Sequence, residues 1–337
     1  MPDILKIAGI YTAVILGAGF ASGQEILSFF INYGSKGFYG LILSGFIFSF
    51  IGYIVLKICY IKKIDSAENF FRFILGEFYF LIEYIIALFL FISYTTMLSA
   101  TGACFKQQFN LPNILGIILM AFLCFIVYIL GVDFIAKINF FIAPILFLGG
   151  FFIGLFIILN NNSLSVFLLK NKSWIWVKSA ILYSAYNLIT GICVIIPMLR
   201  TIKNKNHAKF GTILGGFFIS LLGIIIGLAI YLNYNIAIKN QIPMLAITKK
   251  ISSQINLLYL LIFLLAVFTT AIGNFFSLCE ILKQKKFFSP RLLISLLGII
   301  FAQIEFSGFI SKIYPLFGYI GLFEIILIFI FYLKLFF

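Results

Sequence analysis

The chain has 337 residues, of which 63% are hydrophobic and only 10% are charged, and its mean hydropathy is +1.18. This composition excludes a soluble globular fold with a single anchor and is typical of a polytopic membrane protein. The formal net charge of +14 would point to nucleic acid in a soluble protein. In a membrane protein the basic residues instead mark the cytoplasmic loops, so we expect a lipid bilayer and no nucleic acid as partner.

Apolar runs long enough to cross a membrane, about 20 residues for ~30 Å of hydrocarbon, occur ten times along the chain. Because their connections are mostly short, residues 1–337 are expected to form a single transmembrane domain. The predicted spans are residues 4–30, 37–60, 74–104, 112–131, 134–160, 174–199, 211–232, 256–282, 291–310 and 315–335.

Basic residues are densest in two loops, residues 200–209 and 283–291. Both loops lie on the same side of a ten-span chain, and the positive-inside rule assigns that side to the cytoplasm. Both termini are therefore predicted to be cytoplasmic. The first run has no separate basic region and no small-residue cleavage site before it, so we expect a retained helix rather than a signal peptide.

The first run is interrupted in its middle by a glycine-rich polar stretch, residues 17–25 (GAGFASGQE). A lipid-facing helix cannot carry this stretch, because hydrocarbon offers no partners to freed backbone groups. A charged residue such as Glu25 inside a span costs roughly 2.5–3.5 kcal/mol at the bilayer centre and normally faces a pathway or a partner. We predict a broken helix whose freed carbonyls can coordinate a cation and whose second half can attract an anionic group.

The sixth run carries a second polar and small-residue stretch, residues 183–191 (YSAYNLITG). Five runs precede residue 160 and five follow residue 174, and an odd number of spans gives the two halves opposite orientations. The sequence therefore predicts an all-α fold with two inverted repeats, residues 4–160 and 174–335. Helices 1 and 6 are predicted to be discontinuous and to form the site between them.

The longest outer loop, residues 233–254, contains the apolar segment 242–247 (IPMLAI). A plain surface loop has no need of these residues. The segment favours a short re-entrant or interfacial helix that covers the outer side of the bundle.

Polar side chains inside the spans supply the candidate site residues. Glu25 can carry a coupling proton, pair with a substrate amine, or cap the free N–H groups of the break. Glu83, within the third run, is a second proton-coupling candidate. Tyr186 and Asn187 at the second interruption are candidate substrate contacts, and Tyr94 in the third run is another, with ordinary helix packing as the alternative.

The remaining chemistry-bearing residues do not form a catalytic constellation. Glu324 in the tenth run is a functional-site hypothesis because it is intramembrane, although the sequence supplies no partner for it. The five cysteines have no CxxC spacing and are read as buried hydrophobes rather than disulfides or metal ligands. Without an HExxH, paired-Asp, Walker or GxSxG motif, we expect neither an enzyme nor a cofactor or metal other than a coupling ion.

Residues 17–25, together with Tyr186, Asn187 and residues 269–274 (TTAIGN), resemble the YkvI-like family of bacterial membrane proteins. That family is related to the amino acid-polyamine-organocation superfamily. The resemblance extends over essentially the whole chain and implies the LeuT fold, with two inverted five-helix repeats, in a bacterial cytoplasmic membrane. It implies no substrate.

The LeuT fold places the substrate pocket at the first break and along the middle of the third helix. The expected substrate contacts from the break are Ala21, Ser22 and Gly23, beside Tyr94, although the Ser22 hydroxyl is also suited to filling hydrogen bonds of the unwound backbone.

Sodium-coupled members of this fold bind sodium between the broken first helix and an Ala-x-x-Thr-Ser/Thr pattern on the eighth. Ala266, Thr269 and Thr270 match that pattern, and the glycine stretch places Gly17 and Phe20 at the carbonyl positions. Neutral oxygen ligands suit a monovalent cation. The alternative is that both threonines only donate to carbonyls of their own helix.

These features together predict a secondary active transporter of a small solute, such as an amino acid or a related zwitterion, that works by alternating access. Sodium is the expected coupling ion, and protons bound at Glu25 or Glu83 are the rival. The alternative is a ligand receptor or complex subunit that keeps the fold without transport, as the amino-acid-sensing subunits of spore germinant receptors do at fold level.

Overall fold

The structure is a computed structural model that describes residues 2–160, 174–201, 205–284 and 290–336. Every secondary-structure element in these ranges is helical, and eight helices are long and apolar enough to cross a membrane. The ten predicted spans correspond to these eight helices, a broken first helix and a ninth helix of 12 residues. The predicted all-α polytopic class is confirmed.

The first predicted span consists of three short helices, α1 (Pro2–Ile15), α2 (Ala18–Ala21) and α3 (Gln24–Phe29). The chain is extended at Gly17, and Gly23 has a φ of 78° in the left-handed region. Glycine tolerates that conformation because it has no Cβ atom. The predicted break at residues 17–25 is confirmed.

The rest of the first half follows in four long helices and one short one. These are α4 (Lys36–Lys62), α5 (Ala67–Leu75), α6 (Tyr79–Phe109), α7 (Asn113–Leu130) and α8 (Val132–Leu159).

The second half has the same order of long helices, with an additional pair of short helices between the second and third long ones. Its α-helices are α9 (Ile175–Ile195), α10 (Lys205–Leu232), α11 (Tyr234–Ala237), α12 (Pro243–Ile251), α13 (Ser253–Gln284), α14 (Pro290–Phe301), α15 (Phe306–Gly308) and α16 (Tyr314–Phe336). A 3-10 helix (Ile196–Thr201) continues α9, and a π-helix (Phe309–Ile313) leads into α16.

The two halves pack reciprocally. The first helix of each half lies against the second helix of the other, α1 against α10 and α9 against α4. The two second helices, α4 and α10, cross each other, and so do the two third helices, α6 and α13. An inverted repeat produces this pattern, because each contact between the halves has a counterpart related by the pseudo-two-fold axis.

Small residues allow a close crossing between α4 and α10. A Cβ atom added at Gly45 would lie 2.7 Å from the carbonyl oxygen of Gly216, so the two backbones touch. The Ser220 hydroxyl donates to the Leu41 carbonyl across the same interface at 2.9 Å. Membrane helices associate in this way because lipid supplies no hydrophobic force between them.

The second predicted interruption, residues 183–191, is not a break. Helix α9 is continuous to Ile195, and its polar groups bond to the preceding turn: Asn187 Nδ2 donates to the Tyr183 carbonyl at 3.0 Å. The change in this helix comes at Ile196, where the 3-10 segment begins. Pro197 explains that position, because it has no N–H to continue the α-helical pattern.

Two span boundaries also differ from prediction. The third span begins at Tyr79, because residues 67–75 form the separate helix α5. Ser66 caps α5 by accepting from the N–H of Asn69, and Gly76 ends it with a φ of 58°. The ninth span ends at Phe301 rather than at residue 310, and the helices that continue into α16 begin at Phe306.

The short helix predicted around residues 242–247 is present as α12. Its apolar side is buried, including Met244, Leu245 and Ile247. Helix α12 packs against α13, α10 and α11 and therefore covers one end of the bundle.

Candidate functional site

At the break in the first helix, the Ser22 side chain forms hydrogen bonds with two backbone groups. The Ser22 hydroxyl donates to the Gly19 carbonyl at 2.6 Å and accepts from the N–H of Gln24 at 3.0 Å. One side chain thus bonds groups on both sides of the turn between α2 and α3. This arrangement matches the expected role of the Ser22 hydroxyl as a filler of backbone hydrogen bonds.

Neighbouring elements use the other carbonyls of the turn. The Ala21 carbonyl accepts from the Tyr259 hydroxyl of α13 at 2.5 Å, and the Ser22 carbonyl accepts from the N–H of Met244 in α12 at 3.1 Å. Met244 and Ile230 also lie against Gly23, at 2.8 Å from the position of an added Cβ. The structure therefore places Ala21, Ser22 and Gly23 under α12, α10 and α13.

Glu25 follows the turn and lies inside the protein with 5% of its surface exposed. Its carboxyl group lies over the backbone of Gly19, where an added Cβ would be 2.6 Å from Glu25 Cδ. The Oε2 atom is buried and has no hydrogen-bond partner. A buried carboxylate with an unused oxygen is costly unless a cation or proton joins it.

Three tyrosines surround the Glu25 carboxyl group, and we call Tyr183, Tyr186 and Tyr314 the tyrosine cluster. Each interacts electrostatically with Glu25, and the Tyr186 hydroxyl is beside the carboxylate. The ring centroid of Tyr186 lies 5.6 Å from that of Tyr183 and 5.0 Å from that of Tyr314. Phe29 closes the set at 5.5 Å from Tyr183 and Tyr186. The hydroxyls of Tyr183 and Tyr186 are buried without partners.

Helix α6 faces this cluster with Phe89, Ser93 and Thr96, which share one face at i, i+4 and i+7. The Phe89 ring lies 6.0 Å from that of Tyr314, and the Tyr314 hydroxyl interacts with Ser93 and Thr96. Asn274 of α13 donates to the Ser93 hydroxyl at 2.7 Å. Side chains from α3, α9 and α16 therefore lie around Glu25, and those of α6 and α13 join this group through Tyr314 and Ser93.

Tyr94, a predicted substrate contact, lies on another side of α6. Its ring packs 5.1 Å from that of Phe275 and against Gly298 of α14, where an added Cβ would be 3.3 Å from Tyr94 Cδ1. The Tyr94 hydroxyl interacts with Ser295 of the same helix. Tyr94 follows Ser93 directly, and successive residues of an α-helix are about 100° apart around its axis, so the two side chains lie on different sides of α6. Tyr94 is therefore a packing residue in this structure.

The predicted sodium ligands are partly brought together. Thr270 Oγ1 lies 3.7 Å from the Cβ position at Gly17, so α13 meets the extended part of the break. The Gly17 and Phe20 carbonyls each accept one backbone hydrogen bond, at 3.0 Å. Thr269 and Thr270 both donate to the Ala266 carbonyl. Donation by a hydroxyl leaves its oxygen lone pairs available to a cation.

Two other predicted site residues are Glu83 and Asn187. Glu83 lies far along α6 from the site, and the Asn187 side chain forms a hydrogen bond within its own helix. Glu83 is half-buried on α6 about 15 Å along the helix from Ser93, ten residues at 1.5 Å each. The Asn187 amide donates to the Tyr183 carbonyl within α9, although Asn187 also interacts with Tyr186.

Several residues of the site were missed by the sequence analysis. Tyr314 stands at the start of α16, more than 120 residues after Tyr186, and no local pattern connects the two. The i, i+4, i+7 spacing of Phe89, Ser93 and Thr96 was available as a signal, but only contact with Tyr314 shows that this face is the relevant one. In the part of the chain that the structure describes, no group of three His, Cys, Asp or Glu residues forms a metal cluster.

The searched family models include none that matches this chain. The chain is 30% identical over 331 residues to the uncharacterized membrane protein YkvI of Bacillus subtilis, covering 94% of this chain and 92% of YkvI. It is 22% identical over 317 residues to the uncharacterized protein YyaD of the same organism, covering 93% of this chain and 92% of YyaD.

Among solved structures, a mutant of the manganese transporter of Eremococcus coleocola superposes with a TM-score of 0.63 at 13% identity, covering 96% of this chain and 78% of that one. Mhp1, a nucleobase-cation-symport-1 family transporter in a closed conformation, superposes with a TM-score of 0.58 at 15% identity, covering 93% and 74%. These likenesses show the LeuT-like fold. The identity to YkvI over nearly the whole chain shows the family: the chain belongs to the YkvI family of membrane proteins.

Proposed function

We propose that this protein is a secondary active transporter that carries a small solute with an amino group, such as an amino acid, by alternating access coupled to sodium. The observation that carries the proposal is Glu25, a buried carboxylate with an unpartnered oxygen, placed just after the helix break and beside the tyrosine cluster of α9 and α16. An uncompensated negative charge in such an interior is unfavourable by several kcal/mol, so a bound cation stabilises it.

The surroundings of Glu25 favour an ammonium group as the substrate's contact. Aromatic rings attract cations through their negative faces, by about 0.5–2 kcal/mol each when water is excluded. The tyrosine cluster and Phe29 supply four such rings around one carboxylate. The unpartnered hydroxyls of Tyr183 and Tyr186 are further polar contacts for the solute.

Recognition of a substrate carboxylate by α3, expected from the sequence, receives less support. Helix α3 has only six residues, and Glu25 already places a negative charge in its first turn. A second carboxylate there would meet like-charge repulsion. The proposal therefore rests on the amino group, and both amino acids and simple amines belong in the test.

Sodium coupling is supported by the approach of Thr270 to Gly17. A cation between them would find a backbone carbonyl and a hydroxyl, which are neutral oxygen ligands of the kind that suit monovalent ions. The free lone pairs of both groups make this possible without breaking the hydrogen bonds that they already form.

The test is a thermal-shift screen of purified protein against amino acids and amines in sodium and in choline buffer. A ligand that binds the folded state raises its stability by RT ln(1 + [L]/Kd), about 2.7 kcal/mol at 100 times Kd. We expect an amine-dependent shift that requires sodium and is lost in Glu25→Gln. The exposed carboxylate Glu305 provides the matched control, because Glu305→Gln should keep the shift.

The sodium site is tested separately with Thr270→Val. Thr101 donates to the Met97 carbonyl in α6 in the same way that Thr270 donates to Ala266, so Thr101→Val is its matched control. Sodium dependence should weaken at least tenfold in Thr270→Val only. A shift that depends on pH and not on sodium would assign the coupling to protons.

Uptake of the ligand into proteoliposomes under a sodium gradient then distinguishes a transporter from a receptor that only binds the ligand. Accumulation that collapses with the gradient supports the transporter. Binding without accumulation would establish the receptor alternative.

A further inference from the structure

Glu324 is a second buried carboxyl group, and the proposed transport site does not use it. It lies in α16 with 5% of its surface exposed, and its Oε1 atom is buried without a hydrogen-bond partner. The buried positions Tyr314, Gly318, Gly321 and Glu324 are spaced by four, three and three residues and therefore share one face of α16. This face packs against α9, so Glu324 is enclosed by protein and does not face lipid.

Helices α9 and α16 touch at two glycines that precede Glu324 by about one and two helical turns. A Cβ atom added at Gly318 would lie 2.8 Å from the Leu182 carbonyl oxygen, and one added at Gly321 would meet the carbonyl of Ala185. Backbone contact of this kind leaves no room for a solvated ion next to the carboxyl group.

On α9, the titratable group that interacts electrostatically with Glu324 is Cys193. Its thiol donates to the Ile189 carbonyl of the same helix at 3.4 Å. Cys193 is a neutral neighbour when protonated and offers no compensation for a carboxylate.

The charged groups on the other elements packed against α16 are engaged elsewhere. Lys57 of α4 donates to the Tyr332 hydroxyl at 3.0 Å, about 12 Å along α16 from Glu324 at 1.5 Å per residue. Arg72 of α5 pairs with Glu68 at 2.9 Å. Lys312 of the π-helix lies at the opposite end of α16. Within the described residues, no basic side chain forms an ion pair with Glu324.

We propose that Glu324 is a second ion-binding residue of this protein and that its ligand is a proton. An ionised carboxylate at a sealed, apolar helix crossing requires a compensating cation. A proton is the one cation that the carboxyl group can hold without additional ligands or space. The protonated carboxyl group is neutral and fits the crossing as it stands.

The position of Glu324 connects this proton to the substrate site. Glu25 interacts with Tyr186 of α9, and Glu324 interacts electrostatically with Cys193, seven residues or about 10 Å further along that helix. Tyr314, which faces Glu25, stands on the same face of α16 as Glu324. Loss of the proton would place a charge between α9 and α16 and weaken the packing that positions Tyr186 and Tyr314.

The first test is unfolding of the purified protein between pH 5 and 9, for Glu25→Gln and for the double variant Glu25→Gln/Glu324→Gln. If the folded protein holds a proton on Glu324 that the unfolded chain releases, folded stability falls as the pH rises. The effect approaches a tenfold change in the unfolding constant per pH unit for one proton. We expect this fall of stability with rising pH in Glu25→Gln and a smaller fall, without the contribution of Glu324, in the double variant.

Glu305→Gln, added to Glu25→Gln in place of the Glu324 change, is the matched control, because it removes an exposed carboxylate. It should leave the pH slope as it is in the single variant. An equal pH slope with and without Glu324→Gln would overturn the proposal.

The second test does not depend on how well Glu324→Gln folds. Glu25 and Glu324 are the two buried carboxyl groups among the side chains that the structure describes, so of these two Glu324 alone remains in Glu25→Gln. Infrared spectroscopy at neutral pH should show one carbonyl band of a protonated carboxyl group that shifts slowly in D2O. Absence of this band contradicts the proposal. Neither measurement uses substrate or sodium, so both outcomes are independent of the proposed transport function.

Discussion

The side chain of Glu25 can occupy its position only because residue 19 has no side chain. The carboxyl group lies where the Cβ atom of any other residue would be, at 2.6 Å from Glu25 Cδ. Gly9 in α1, by contrast, has open space around its Cβ position. Alanine is favoured over glycine in helices in general, so a comparison of substitutions at Gly19 and Gly9 isolates the effect of the Glu25 contact.

We expect Gly19→Ala to displace the Glu25 carboxylate and to destabilise the protein by about 1–3 kcal/mol, the usual cost of overpacking. The same variant should lose the amine-dependent thermal shift. Gly9→Ala should keep the shift and gain up to about 1 kcal/mol of stability. Thermal unfolding with and without ligand measures both, and a Gly19→Ala protein that still binds amines would contradict the placement of Glu25.

At the scale of elements, one amide side chain of α6 attaches the start of α12 to the bundle, and the next one attaches α13. Gln107 exchanges two hydrogen bonds with the backbone of Ile242, at 3.1 and 3.2 Å. Gln108 exchanges two with the Asn256 side chain, both at 3.1 Å. Because the N–H of Met244 also donates to the Ser22 carbonyl, α12 connects α6 directly to the helix break.

Gln107→Ala should loosen this attachment. It leaves the N–H of Ile242 without its partner, while the Ile242 carbonyl keeps the bond from the N–H of Ala246 at 3.2 Å. An unpartnered buried N–H costs about 1–3 kcal/mol. We expect faster amide hydrogen exchange in residues 243–251, followed by mass spectrometry. Gln303→Ala removes an exposed amide that bonds only within its own chain segment and should leave this exchange unchanged. Unaltered exchange in Gln107→Ala would show that other contacts hold α12.

The crossing of α9 and α16 gives a second prediction for an element. Gly321→Ala places a methyl group against the Ala185 carbonyl, and a backbone atom cannot move aside cheaply. We expect a loss of about 1–3 kcal/mol in the free energy of unfolding. Gly273→Ala in α13 meets open space and serves as the control, which should be neutral or stabilising. Equal stability of the two variants in chemical denaturation would argue against the close crossing.

For the whole molecule, the positive-inside rule predicts which end of the bundle faces the cytoplasm. Lys239 lies in the loop that leads to α12, and Lys283 lies near the end of α13, one membrane crossing later. We expect Lys239→Cys to react with a membrane-impermeant maleimide in intact cells. Lys283→Cys should react only after permeabilisation. The opposite pattern would invert the topology and with it the side to which α12 belongs.

The amino-acid sequence by itself determined the membrane class, the break at residues 17–25 and the presence of a helix within residues 242–247. Each follows from a local rule: apolar length, the need of backbone groups for partners in lipid, and apolar residues in a loop. Local rules also explain why the break predicted in α9 is absent. A polar stretch signals either a break or side chains bonded to their own helix, and Asn187 and Ser184 do the latter.

Only the tertiary structure decided which side chains form the site. Helix α6 is apolar around most of its circumference, so its sequence does not reveal which face is turned inward. Packing against α14 and α16 sets that rotation and directs Ser93 and Thr96, rather than Tyr94, toward Tyr314 of the tyrosine cluster. The contact of Tyr314 with Tyr186 likewise depends on the crossing of α9 and α16. Rotation and crossing arise from contacts between distant segments, and for that reason the pattern within any one segment cannot specify them.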